Sequence, residues 1–249
     1  MADRAAKVRL FVAAELAEGA PVPLARDQAH YLAAVMRLAA GDPVLAFNGR
    51  DGEWLARLEP AGRRDMLLRA EARTRPQTRL RDLWLLFAPV RRARVETIVE
   101  KAAELGAARV VPVITRRTRP ERVKPERLRA LMVEAAEQCG GLNVPELADP
   151  APLAELLDGW DSARRLLFCD ERMTAPPAAE ALAPFAAAPG PWAVLIGPEG
   201  GFDPEEAARL EALPAAVRAS LGPRILRADT AAIAALTLWQ SALGDWRAP

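Results

Sequence analysis

The sequence predicts an α/β protein: a parallel sheet with helices on both faces, preceded by a small β-barrel. Three observations predict it. From residue 83 onward, short apolar runs alternate with helical stretches, the pattern of βα units whose strands are covered on both sides. Residues 8–73 instead hold short strands parted by turns rich in Gly, Asn and Asp. Between them Thr74-Arg75-Pro76-Gln77-Thr78 is polar, carries a proline and has no apolar period. The boundary therefore falls there, giving a barrel domain over 1–75 and an α/β domain over 76–249. A chain of 249 residues can bury a core in each.

In the first domain Val8–Val12 is rich in β-formers, and a short helix is expected over Asp27–Leu38. Val44–Phe47 and Trp54–Leu58 flank Asn48-Gly49-Arg50-Asp51-Gly52, a hairpin turn because Asn and Gly tolerate positive φ. Met66–Ala72 follows a second turn. In the second domain Leu83–Val90 is a continuous apolar strand. Arg92–Leu105 places Val95, Ile98, Val99, Ala102 and Leu105 on one helical stripe and closes on Gly106. Val110–Thr115 is a strand, Pro125–Gln138 a helix, and Leu166–Cys169 and Ala193–Ile196 are buried strands with a helix over Ala178–Ala187 between them. Glu205–Leu213 is a helix, Val217–Leu221 a strand and Thr230–Leu243 the final helix. That helix, with Ile233, Leu236, Leu238, Trp239 and Leu243, is apolar nearly all round, so it is buried either in the core or against a second subunit.

Composition is that of an ordinary globular protein, 51% hydrophobic and 27% charged, which excludes wholesale disorder. One histidine, His30, and two cysteines far apart, Cys139 and Cys169, give no metal-ligand spacing, so no metal is expected. Two cysteines and no leader point to a reducing, cytoplasmic setting, and the cysteines read as buried packing residues. No apolar run is long enough to span a membrane. Net charge is only +1, but 31 of the 34 basic residues are arginine. That bias reflects either a GC-rich genome or a surface that grips phosphates. Residues 1–150 carry 26 basic and 20 acidic side chains, whereas 151–249 carry 8 and 13. Within the first part, residues 116–129 hold seven basic and two acidic side chains, an exposed basic loop.

Two bends stand out. Leu195-Ile196-Gly197-Pro198-Glu199-Gly200-Gly201-Phe202-Asp203-Pro204-Glu205-Glu206 runs from a strand through glycines into a helix start, with Asp203 to cap, Pro204 in the first helical position and Glu206 to complete a capping box. Such a bend falls at the carboxyl end of a parallel strand, where ligands bind, and bare glycine backbone admits a flat one. A branched side chain at Gly200 is expected to fill that space. Leu221-Gly222-Pro223-Arg224-Ile225-Leu226-Arg227-Ala228-Asp229-Thr230-Ala231 ends a strand in a second bend, then brings two arginines to a helix N-terminus, a place suited to anions.

These two strings resemble the C-terminal signatures of the RsmE family, the 16S rRNA (uracil-N3)-methyltransferases of the SPOUT class. Arg9-Leu10-Phe11, His30-Tyr31-Leu32-Ala33-Ala34-Val35-Met36-Arg37 with Gly41-Asp42, Lys101-Ala102-Ala103-Glu104-Leu105-Gly106, Arg117, Glu137-Gln138-Cys139-Gly140 and Val144-Pro145 are similar to further family strings in the same order. The sequence departs from the pattern at Arg116, where the family has Glu, at Gly141, where it has Arg, and at Asp229, where Glu is more common. The resemblance implies a PUA-like barrel, a SPOUT-type sheet closed by a deep C-terminal trefoil knot, and a homodimer. It implies S-adenosylmethionine (SAM) held by Phe168, Ile196, Gly197, Glu199, Gly200, Gly201, Leu221, Gly222, Arg224, Ile225, Leu226, Thr230 and Ala231. It implies that 16S rRNA, free or in the small ribosomal subunit, is the substrate; Arg9, Arg37 and Arg117 of the matching strings are expected to meet it, and the basic loop adds Arg116, Arg119 and Arg122 as phosphate contacts.

Methylation at N3 of uridine requires loss of the imide proton, because the protonated nitrogen has no free lone pair. A base, or a cation beside the flanking carbonyl oxygens, must assist. Arg227, beside the second bend, is the first candidate, followed by Arg117 and Glu137. Other readings compatible with the sequence are a SPOUT enzyme acting on ribose or another base, and a non-catalytic RNA-binding assembly factor. No Rossmann fingerprint, Walker A string or Gly-x-Ser-x-Gly elbow is present.

Overall fold

The structure is a computed structural model that describes residues 6–62, 65–119, 124–169 and 174–247. Contacts divide it into two compact units, one running to Arg79 and including Ala136–Val144, the other formed by Leu80–Ala135 and the chain from Pro145 on.

The first unit is a five-stranded sheet in the order β1-β3-β4-β5-β2, with β1 Arg9–Phe11, β2 Pro21–Pro23, β3 Pro43–Phe47, β4 Glu53–Pro60 and β5 Met66–Arg75. β1 and β3 are parallel, and the other pairs are antiparallel. Leu10, Val22, Leu32, Val44, Ala46, Ala56, Leu58 and Leu68 alternate inward to form its core. The turn between β3 and β4 forms as its residues demand. Gly49 and Gly52 have φ of 79° and 85°, and Asn48 Oδ1 accepts the N–H groups of Arg50 and Asp51.

Two features of this unit differ from expectation. The helix α1 (Arg26–His30) continues as a π-helical turn over Tyr31–Val35 and ends in Arg37 at φ 54°, a left-handed residue that is not glycine. β5 runs to Arg75, into the segment read as linker, because Glu53 sits opposite it in β4. Glu53 is 4% exposed. It accepts hydrogen bonds from Arg75 Nε and Nη2 at 3.0 and 2.7 Å, from Arg9 Nε at 2.8 Å and from Thr74 Oγ1 at 3.0 Å. The polar residues that hide the strand from an apolar pattern are thus the ones that satisfy its buried carboxylate.

The second unit has strands β6 Leu83–Phe87, β7 Arg109–Ile114, β8 Glu146–Leu147, β9 Ala151–Pro152, β10 Arg165–Cys169, β11 Trp192–Ile196 and β12 Ala216–Ala219. They form a parallel sheet in the order β12-β10-β11-β6-β7-β8, with β9 also on β7. Its helices are α2 Arg92–Glu104, α3 Pro125–Cys139 (whose last turn, from Ala136, belongs to the first unit), α4 Leu153–Asp158, α5 Ala178–Leu182, α6 Pro204–Ala212 and α7 Ala228–Leu243. Both sheet faces are buried. Leu86, Leu166, Phe168, Ala193 and Leu195 pack with Leu153 of α4 and Leu210 of α6. The alternate residues Leu85, Phe87, Leu167 and Val194 are buried as well, and α7 packs on α2, α5 and β11. α7 buries Ala232, Ala235, Leu236, Trp239 and Leu243 within its own unit. Gln240, 1% exposed, donates to the Leu105 carbonyl at 2.6 Å and so caps the end of α2. The sequence reading contained neither β2 nor the short elements β8, β9 and α4.

Burial alone would raise the Glu53 carboxyl, but the hydrogen bonds from Arg75, Arg9 and Thr74 outweigh it and hold the group below the ordinary carboxylate value. A folded-state pKa below the unfolded one stabilises above the unfolded value of about 4.3 and is lost as pH falls through the folded value. Glu53→Gln is therefore expected to cost roughly 3 kcal/mol at pH 7. Urea melts from pH 7 down to pH 3 should show the variant losing less stability below pH 4.3 than the parent. Parallel curves would contradict the ion-pair account.

Candidate functional site

In the second unit a cavity of about 530 Å³ opens where the bends after β11 and β12 and the N-terminus of α7 come together. It is lined by Ile196–Gly201, by Leu221, Gly222 and Arg224–Ala228, by Ala231, and by Arg94 and Cys169. The bend after β11 follows from its sequence. A Cβ on Gly197 would lie 2.7 Å from Cε2 of Phe202, so only glycine lets the ring of Phe202 fold back beneath the turn. That ring meets Phe168 edge-on at 5.4 Å between centroids. Gly201 has φ 67°, which glycine supplies without strain. Asp203 then caps α6 through Glu205 N–H at 3.1 Å, Pro204 opens the helix, and Glu206 accepts the Asp203 N–H at 3.1 Å.

Gly200 has an ordinary φ, and a Cβ there would make only van der Waals contact with the aliphatic part of Arg117. Gly222 is a further glycine of the lining. That residue has φ 110°, lines the cavity, and would direct a Cβ into open space.

The residues expected around a cofactor divide cleanly. Ile196, Gly197, Glu199, Gly200, Gly201, Leu221, Gly222, Arg224, Ile225, Leu226 and Ala231 line the cavity. Phe168 and Thr230 do not. Strand alternation sends Phe168, 1% exposed, into the core and brings Cys169 to the cavity instead. Thr230 points outward from α7, whose N-cap is Arg227 rather than Asp229 or Thr230. The side chain of Arg227 is exposed, lines the cavity and makes no ion pair among the described residues. Arg94 lay outside the sequence reading. It projects from the first turn of α2 and pairs with Glu199, the acid of the bend. Only the pairing of β6, which leads into α2, with β11 brings the two together, and no local motif announces it.

A second hollow of about 650 Å³ shares Pro198, Glu199 and Gly200 with the first. Arg116, Arg117 and Arg119 line it, and Arg117 Nη1 donates to the Gly200 carbonyl at 2.8 Å. Arg116 is held by Asp203 at 2.9 Å and Glu205 at 2.5 Å. Arg122 lies outside the described residues. Three other candidates belong to the first unit. Arg9 is built into it: besides Glu53 it donates to the carbonyls of Ala136, Glu137 and Gly141, and it covers the ring of Phe47 at 4.5 Å. Glu137 accepts the N–H of Phe11 at 2.8 Å. Arg37 is exposed at its left-handed turn.

The cavity has the character of a small-molecule site. Its size is ordinary for one, and bare backbone and apolar side chains (Ile196, Leu221, Ile225, Leu226) are joined by a few charges. A sulfonium cofactor with a flat purine and an amino-acid tail fits this donor set. The glycine bends leave backbone groups for the purine, and Arg224 offers charge to a carboxylate.

The chain matches the family model described as RNA methyltransferase domain over residues 76–240 and the one described as RNA methyltransferase PUA domain over 24–71. It is 29% identical to the ribosomal RNA small subunit methyltransferase E of Rickettsia conorii over 92% of this chain and 93% of that protein. To the protein of the same name from Synechocystis it is 32% identical over 92% of this chain and 75% of that one. Among solved structures, the ribosomal RNA small subunit methyltransferase E of Neisseria gonorrhoeae bound to S-adenosyl methionine superposes with a TM-score of 0.82 at 25% identity, covering 96% of this chain and 99% of that one.

The two cysteines correct the expectation that both are buried. Cys139 is exposed. Cys169 is half-buried at the cavity wall, and desolvation pushes its thiol up to about 12. At pH 7 that thiol is therefore kept protonated and is a poor nucleophile. A maleimide at pH 7 should label Cys139 quickly and spare Cys169 in the folded protein. Equal labelling of both, read by peptide mass spectrometry, would show that the surroundings of Cys169 do not raise its thiol as described.

Proposed function

Because the chain belongs to the ribosomal RNA small subunit methyltransferase E family, we propose that it transfers the methyl group of SAM to N3 of a uridine in small-subunit (16S) ribosomal RNA. It is a SAM-dependent methyltransferase of that RNA; the base and the atom are our reading. The observation that supports them is the placement of Arg227. Its guanidinium lines the cavity at the N-terminus of α7 and has no ion partner among the described residues.

When bound, SAM supplies an electrophilic methyl group on a positive sulfur. The chain's own residues supply the rest. Ile196, the glycine bend and the Leu221–Leu226 segment enclose the cofactor and exclude water. Arg227 holds the uracil carbonyl oxygens that flank N3, so that negative charge developing there as the proton leaves is met by a fixed cation. Glu199, the one acid among the described lining residues, is occupied by Arg94. Glu137 serves the first unit through Phe11. Among the described lining residues, no carboxylate is left to take the imide proton.

The same reading gives Arg37, Arg117 and Arg119 contacts with RNA and omits Arg9, whose donors the first unit consumes. Arg116 is compensated by Asp203 and Glu205. The reading also includes a deep trefoil knot in the C-terminal chain, a cytoplasmic setting and a second copy of the chain as partner. The dimer is supported by Ile225 and Trp246, 78% and 53% exposed, large apolar side chains left uncovered in a single copy. No described helix is long and apolar enough to cross a membrane.

The test is mass spectrometry of nucleosides from small-subunit rRNA of cells lacking and regaining the gene. N3-methyluridine should disappear and return. A change in a 2′-O-methyl nucleoside instead would assign the ribose reading, and no change would favour the non-catalytic one. With the purified protein, Arg227→Ala should keep SAM affinity within a few fold while kcat falls about 10²-fold or more. The parent rate should rise with pH above neutrality, because the uridine must lose a proton. A flat profile, or equal losses in binding and rate, would remove Arg227 from this role.

A further inference from the structure

The hollow beside the cofactor cavity contains an arginine that no motif marked. Arg91 precedes α2 and lines the hollow together with Arg116, Arg117, Arg119 and the Pro198-Glu199-Gly200 turn. The charges there can be accounted for one by one. Glu199 is taken by Arg94, and Arg116 by Asp203 and Glu205. Arg117 gives one N–H to the Gly200 carbonyl and retains its charge. Arg91 and Arg119 are exposed and make no ion pair among the described residues. The first turn of α2 carries no acid to offset Arg91. Among the described residues, three cations of the groove thus carry no ion pair, and the one acid of its lining is already paired.

Guanidinium groups converging on one groove match the oxygens of a phosphodiester, which accept several N–H donors at once. The location fixes which phosphodiester. The groove and the cofactor cavity have the Pro198–Gly200 turn as a common wall, so a strand whose base enters the cavity passes its backbone over that turn. We propose that this groove is a phosphodiester subsite for the RNA backbone beside the target nucleotide, with Arg91 and Arg119 as its positioning residues. The proposal rests on the methyltransferase reading above and adds to it the place where the strand is gripped. Arg117, tied to the common wall, joins the two sites. Neither Arg91 nor Arg119 touches the reacting atoms; they fix where the base stands relative to the methyl group.

The experiment measures binding of an unmodified small-subunit rRNA transcript to the full chain by filter retention across a salt series. The proteins are the parent, Arg91→Ala, Arg119→Ala and, as an exposed arginine elsewhere, Arg209→Ala, which pairs with Asp158 on another surface. Arg91→Ala and Arg119→Ala should each weaken binding roughly fivefold, with the slope of log K against log salt falling by about 0.7 per lost contact. SAM affinity by calorimetry and the melting temperature should stay at the parent values, and Arg209→Ala should behave as the parent. Parent-like affinity and slope in both groove variants would overturn the subsite. If the parent still binds SAM and methylates the transcript in that case, the proposed function stands without the subsite. If the parent binds neither SAM nor the transcript, both fall.

Discussion

The site depends on one packing constraint: the place where Gly197 would carry a side chain is filled by the ring of Phe202. Phe202 belongs to the same buried cluster as Phe168, Leu195 and Leu210. The chain therefore leaves β11 at Gly197 and returns to the core five residues later, with Pro198–Gly201 thrown over the carboxyl edge of the sheet. The left-handed Gly201 turns it back, and the Asp203–Glu206 capping box starts α6 at once. What faces the cavity is consequently backbone, fixed from below by aromatic packing. The same turn separates the cavity from the arginine groove, so its position governs both.

Arginine does two opposite jobs in this chain. Arg9 and Arg164 are spent inside. Arg9 satisfies Glu53 and three carbonyls, while Arg164, 6% exposed, forms two hydrogen bonds to the Asp82 carboxylate and lies 3.8 Å from the centre of the Trp84 ring. Breaking such pairs is costly because a charge is left buried. Arg91, Arg117, Arg119 and Arg227 line the two hollows and make no ion pair among the described residues. The overall charge of +1 conceals this division entirely. It appears only when each guanidinium is assigned to a partner or found without one.

Much of this was legible in the sequence. The apolar runs of β6, β10 and β11 announce a doubly covered sheet, and Gly, Pro and the capping box mark both bends. The residues that escaped did so for physical reasons. Thr74 and Arg75 look like linker because a buried carboxylate, not an apolar neighbour, holds them in β5. Residues 136–144 join the first unit through backbone carbonyls and through Ala136 and Leu142 packed on Phe47, long-range contacts that the local pattern does not report. Phe168 and Cys169 exchange roles because a strand's phase against its cavity is set by the tertiary fold. Arg91 and Arg94 sit on a helix start whose relation to the Gly197–Gly201 bend arises only when β6 and β11 pair. Glycine spacing identified the bend, but only packing shows that Gly197, Gly201 and Gly222, rather than Gly200, require their glycines.

The central claim is that SAM is held by backbone at the two bends of the second unit. Amide hydrogen exchange with and without SAM tests it most directly. Saturating SAM should slow exchange chiefly in peptides covering 196–201 and 221–231, with little change in peptides from the first unit. Tight binding that leaves those two segments unprotected would contradict it.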